Sequence, residues 1–220
     1  MTNNAPDLAS LLCSRLCHDL LSPIGALNNG LELLADEQDG EMRGRIVELL
    51  EQSARASADK LKFFRLAFGA AGGFGDLVPV SEARALVDAL VGANGRIEAR
   101  WALAAAALPK PAIKTLLNLA LIGIEALVRG GTLDIGAELR ADGDGPAETE
   151  IVIRAAGPRI AFDPLVGKAL DGSLDQADLS SKTAPATMIR QLATGLGGNI
   201  QFALTEGALV MGAVLPASQE

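Results

Sequence analysis

Leucines recur at three-, four- and seven-residue steps near the start of this chain: Leu12, Leu16, Leu20, Leu27, Leu31 and Leu34. That spacing predicts a long amphipathic helix with a single apolar face. At about 100° per residue, Leu16, Leu20, Leu27, Leu31 and Leu34 gather within roughly 60° of one another. Asp7 is placed to cap this helix, which runs to about Asp36, and Asp39-Gly40 marks a turn. A second helix is expected over residues 41–68, with Ile46, Leu49, Leu50, Leu61, Phe64 and Phe68 on its apolar face. Ser53, Ala54, Ala56, Ser57 and Ala58 in its middle permit close helix–helix approach. Each helix would be about 40 Å long. Such a hairpin cannot bury both apolar stripes alone. Pairing with a second copy gives a four-helix bundle, so a homodimer is expected.

The pattern changes near residue 70. Gly69-Ala70-Ala71-Gly72-Gly73-Phe74-Gly75 reads as a linker, and the segments after it alternate between helix and strand. A helix over 81–91 follows Pro79, then a strand over 96–103 and a helix over 111–129 that ends at Gly130-Gly131. Strands over 132–140 and 148–156 flank Asp142-Gly143-Asp144-Gly145, a hairpin signal. Helical segments over 162–170 and 182–194 precede a last hairpin, 199–205 with 209–215, turning at Glu206-Gly207. This order predicts an α+β sandwich, a mixed sheet with helices on one face. The domain division is then a helical hairpin at 1–70, a linker at 71–76 and the α/β unit at 77–220.

Composition narrows the functional classes. Six Phe, one Trp, no Tyr and a net charge of −8 argue against a nucleic-acid binder, which would show basic patches and stacking platforms. The longest apolar stretch, 116–128, is interrupted by Asn118 and Glu125 and is too short to span a bilayer. Residues 1–10 carry no basic stretch followed by an apolar run, so a cytoplasmic protein is expected, with no membrane contact. Cys13 and Cys17 lie one turn apart on the first helix, which disfavours a disulfide. With no second His and no third Cys, an ordinary zinc site lacks ligands, and no metal site is expected.

The chain holds one histidine, His18, about 160–180° around the first helix from the middle of the leucine cluster. It is therefore presented outward. A neutral imidazole is nucleophilic near pH 7 and forms a P–N bond labile enough to pass a phosphoryl group on. Asp19 can hydrogen-bond the ring or hold a proton, and Pro23 removes the amide that would bond the Asp19 carbonyl. Leu11, Ser22 and Asn29 share the His18 face. With Arg15 they are the candidate partner-contacting positions, a docking surface around a nucleophile, and Ser22 joins His18 and Asp19 as a candidate catalytic residue. Arg55, Lys60, Lys62 and Arg65 read as solvated charges on the second helix.

His18-Asp19-Leu20-Leu21-Ser22-Pro23 resembles the H-box of the dimerisation and phosphotransfer domain of sensor histidine kinases, and the remainder resembles the Bergerat-type ATP-binding domain that follows it. The nucleotide boxes depart from that pattern. Asn118 is kept where the N-box belongs, but Ile122 stands where the family has its Mg²⁺-coordinating Asn. Ala155 replaces the adenine-reading Asp of the first glycine box, and Arg159 replaces its second Gly. Ser181-Lys182-Thr183-Ala184-Pro185-Ala186 stands where the second glycine box belongs and has no glycine. A kinase shell without its nucleotide groups, joined to an intact histidine hairpin, is similar to the ChpT-type histidine phosphotransferases of alphaproteobacteria. Leu16-Cys17-His18-Asp19, Ser22-Pro23 and Arg65-Leu66-Ala67-Phe68-Gly69-Ala70 carry most of that resemblance. It implies a phosphorelay in which His18 accepts a phosphoryl group from the receiver domain of a hybrid kinase and donates it to response-regulator receivers, CtrA-like and CpdR-like ones included. It also implies no cofactor of the chain's own, with Mg²⁺ brought by the receiver. Two other readings stay open at this level: an ATP-dependent kinase with a divergent nucleotide site, and a non-catalytic dimeric scaffold.

Overall fold

The computed structural model describes residues 7–69, 75–140 and 147–216. Residues 70–74 of the expected linker and the Asp142-Gly143-Asp144-Gly145 turn lie outside the described residues. Helices α1 (Leu8–Asp36) and α2 (Gly40–Ala67) form an antiparallel hairpin. Both start at aspartates. Asp7 accepts from the Ala9 amide at 3.4 Å and Asp39 from the Met42 amide at 2.8 Å, which satisfies amides that the first turn leaves open. Arg43 closes the connection by donating to the carbonyls of Leu34 and Glu37. Gly30 makes room for α2, since a Cβ there would stand 2.8 Å from Leu50 Cδ2.

The leucine face of α1 is divided rather than uniformly inward. Leu20 is buried and Leu27 half-buried, but Leu31 is 57% exposed. Leu49 and Leu61 of α2, expected inside, are exposed as well, whereas Phe63, Leu66 and Ala67 are buried. The reason is geometric. Two helices cover only a narrow stripe of each other, and the last turns of α2 are covered by the second unit instead, joining its core.

That unit begins with β1 (Leu77–Pro79) and α3 (Val80–Asn94), followed by β2 (Ile97–Leu103), β3 (Ala107–Pro109) and α4 (Lys110–Ala126). Then come β4 (Gly131–Arg140), β5 (Glu148–Ala156), α5 (Pro164–Asp171), a 3₁₀ turn at Gln176–Asp178, α6 (Ala184–Gly195), β6 (Asn199–Thr205) and β7 (Ala208–Pro216). Five strands form one mixed sheet in the order β2-β4-β5-β7-β6, parallel between β2 and β4 and antiparallel elsewhere. Alternation decides which face the helices cover. Leu133, Ile135, Ile151, Ile153, Leu209 and Met211 point into the core beneath α4, while Val152 lies on the open side. Gly123 lets α4 press onto the sheet, since a Cβ there would meet Leu133 Cδ1 at 2.7 Å. The expected α/β arrangement is therefore present. The small antiparallel pair β1–β3, with Val78 and Leu108 buried at its centre, was not anticipated. Three residues ending in proline give no readable alternation.

Candidate functional site

His18 stands on the outer surface of α1 with its side chain 82% exposed. Its Nδ1 lies 3.1 Å from Asp19 Oδ1. In a neutral imidazole, a carboxylate accepting at Nδ1 selects the tautomer with the ring proton on Nδ1 and the lone pair on Nε2. The other Asp19 oxygen, Oδ2, accepts from Arg15 Nε at 2.9 Å. The guanidinium also donates through Nη2 to Glu125 Oε1 of α4. A chain of contacts thus runs from the second unit through two side chains to the imidazole.

Arg15 corrects one expectation. Only 11% of its side chain is exposed, so it is committed between two internal carboxylates and is not offered to a partner. Burial opposes its charge, but Glu125 and Asp19 outweigh that and hold its pKa above the ordinary arginine value. Burial likewise pushes the Glu125 carboxyl above the usual carboxylate range, against the pull of Arg15. Of the other predicted positions, Ser22 is exposed one turn from His18, Asn29 is exposed about three turns along the same helix, and Leu11 is half-buried. Lys60 also departs from expectation: it is half-buried and donates to the Asp19 carbonyl at 2.8 Å.

Sequence reasoning missed Glu125, although a signal existed. It is an acidic residue inside an apolar helical run, and such a charge needs a partner. The partner lies 110 positions away, which no local pattern reveals.

The residues that stand where the resemblance places nucleotide boxes serve for packing and anchoring. Asn118 is fully buried, and its Nδ2 donates to the Ala67 carbonyl at 3.2 Å and the Lys114 carbonyl at 2.8 Å, fastening α4 to the end of α2. Ala155 is buried against α4, and Arg159 is exposed. Ile122 and Pro185 converge on a cavity of about 220 Å³, also lined by Phe162, Val166 and Glu125. Arg15 lines it from α1, and a Lys182–Asp163 ion pair at 2.7 Å lines it from the other side. These residues do not fit Mg-ATP. Isoleucine offers no ligand, alanine no acceptor for adenine, and proline no amide for a phosphate.

A solvent-facing imidazole with one ring nitrogen engaged, on a helical hairpin packed against a mixed-sheet α/β unit, defines a phosphotransfer class of site. The chain belongs to the histidine phosphotransferase family: residues 80–208 match the model of the histidine phosphotransferase C-terminal domain. It is 34% identical over 213 residues to protein phosphotransferase ChpT of Brucella abortus (strain 2308), spanning 97% of this chain and 98% of that one. A solved bacterial phosphotransferase superposes with a TM-score of 0.80 at 34% identity, over 97% of this chain and 98% of the other. The Acinetobacter baumannii histidine kinase AdeS is more distantly similar, at 14% identity and a TM-score of 0.46 over 90% of this chain and 97% of that one.

Proposed function

We propose that this protein is a phosphorelay intermediate whose His18 accepts a phosphoryl group from the aspartyl phosphate of a hybrid-kinase receiver and donates it to response-regulator receivers. One observation carries the reading: His18 is open to solvent with Nδ1 engaged by Asp19, so that Nε2 is the available nucleophile. In the forward step the Nε2 lone pair attacks phosphorus, the P–N bond forms, and the P–O bond to the receiver carboxylate breaks. The carboxylate leaves with the electron pair. The Nδ1 proton stays beside Asp19, which offsets the positive charge that the ring gains. Transfer onward to a second receiver is the same step reversed. Charge on the phosphoryl oxygens needs a counterion, and the receiver is expected to bring Mg²⁺ in its own acidic pocket.

ATP plays no part in this reading, because the residues lining the cavity of about 220 Å³ at the altered boxes are apolar or paired with one another. The active unit is a homodimer. Ile24 and Leu31 share one face of α1, and Val47 and Leu61 one face of α2; all four are exposed, and a second hairpin covering them completes a four-helix bundle. No helix among the described residues is long and apolar enough to cross a membrane, and a cytoplasmic setting suits partners such as CtrA-like and CpdR-like receivers.

The test is transfer from a labelled phospho-receiver to the purified protein. The wild type should take label in seconds to minutes and pass it to a second receiver, and His18→Ala should take none while keeping its helicity. Undiminished labelling of His18→Ala would end this reading.

A further inference from the structure

We propose that Glu125, on α4 of the second unit, is a positioning residue for His18 and acts through Arg15 and Asp19. The inference rests on the phosphorelay reading, and it gives the kinase-like unit a role in the transfer step itself.

The geometry supports it link by link. Asp19 has two oxygens and two claimants. Arg15 Nε takes Oδ2 at 2.9 Å, and His18 Nδ1 takes Oδ1 at 3.1 Å. A guanidinium is a planar fork that engages a carboxylate best through both oxygens at once. Left alone with Asp19, Arg15 would close onto both oxygens and displace the imidazole. Glu125 opposes this by engaging Nη2, the second arm of the fork beside Nε, and Asp19 is held through Nε. The main chain of Asp19 is fixed independently by Lys60. Asp19 is thereby held with Oδ1 free for the ring, which keeps the proton on Nδ1 and aims Nε2 outward. Orientation of a reactive histidine by such a second layer of partners is worth roughly 10–100-fold in activity where it has been measured at metal sites.

A residue that merely fastened the two units together would behave differently. Its removal would lower stability and leave the imidazole tautomer unchanged. The decisive measurement is therefore the ¹⁵N spectrum of His18 in the unphosphorylated full-length protein near neutral pH, read beside the transfer rate and the unfolding midpoint. In the wild type the Nδ1–H tautomer should dominate. Glu125→Ala should move the population toward Nε2–H and slow phosphoryl transfer about tenfold. Glu125→Gln keeps an acceptor for the guanidinium and should restore most of both. Glu125 is itself partly exposed, so both variants should fold. A folded Glu125→Ala with the wild-type tautomer overturns the proposal, whether or not its transfer slows. If instead His18 took no phosphate in any variant, the relay reading would fall on its own. The tautomer measurement would still decide whether Glu125 orients the ring.

Discussion

Lys60 Nζ lies 2.8 Å from the main-chain carbonyl of Asp19, the acceptor that Pro23 strands by having no amide to donate. A proline inside a helix frees the carbonyl four residues earlier, and here the ammonium of the neighbouring helix takes the place of the missing N–H. Because the stranded carbonyl belongs to the residue that touches His18, one contact both repairs α1 and anchors the site. A charge-assisted hydrogen bond of this kind contributes about 1.5–3 kcal/mol. Lys60→Met should therefore lower unfolding free energy by roughly that amount. The loss should shrink when Pro23→Ala restores the helical amide. A double-mutant cycle by urea unfolding measures the coupling, and equal losses in both backgrounds would show that Lys60 acts elsewhere.

Asn118 gives a second prediction. Its carboxamide is buried and fastens α4 to the last turn of α2 through the Ala67 carbonyl. Asn118→Leu removes two donated hydrogen bonds and should cost about 1–3 kcal/mol, read as a lower denaturant midpoint. Asn118→Asp replaces the donor by acceptors facing two carbonyls and should cost more. Equal stability of Asn118→Asp and wild type would refute the anchoring role.

How far the sequence foretold these features depends on the range of the interaction. Both helices of the hairpin were legible from local signals, the Asp7 cap and leucine periodicity for α1 and the Asp39-Gly40 turn before α2, and the sheet strands were legible from alternation and turn residues. The outward placement of His18 followed from helical angle alone. What escaped were side chains whose partners lie far off in sequence. Arg15 was expected at the surface, and only the fold brings Glu125 to it. Lys60 was expected in solvent, although Pro23 already implied a carbonyl in need of a donor. The leucine periodicity located the apolar face of α1, but it could not separate Leu20, which is buried, from Leu31, which is exposed among the described residues.

Asp163 supplies a pH prediction. Lys182 at 2.7 Å and the Leu165 amide hold its carboxyl below the ordinary aspartate value of 3.8. The folded pKa is thus depressed, so this contribution to stability is present above the unfolded pKa and is lost as pH falls through the folded one. Asp163→Asn keeps an acceptor for the cap of α5 but removes the ion pair with Lys182, so it should cost at most about 1 kcal/mol at pH 7 and should flatten the fall in stability below pH 4. Thermal melts from pH 7 to pH 3 measure both. An unchanged acid slope in the variant would assign the acid sensitivity to other carboxylates.

The exposed half of the hairpin and the His18 face should separate cleanly by mutation. Leu31 is exposed on α1, and on the helical wheel it lies about 140° from His18. If a second hairpin covers it, each buried leucine contributes about 1.5–3 kcal/mol, and a dimer carries the substitution twice. Leu31→Glu should therefore weaken association by at least about a hundredfold, since each 1.4 kcal/mol is a factor of ten. Sedimentation equilibrium should then find monomers at micromolar concentration. Ser22→Trp adds bulk beside His18 without touching that surface. It should leave the dimer whole and slow phosphoryl transfer, because a receiver must approach Nε2 over the neighbouring turn. The two variants check each other. A Leu31→Glu protein that remained dimeric would move the interface off this face, and a Ser22→Trp protein that transferred at full speed would move the docking surface away from Ser22.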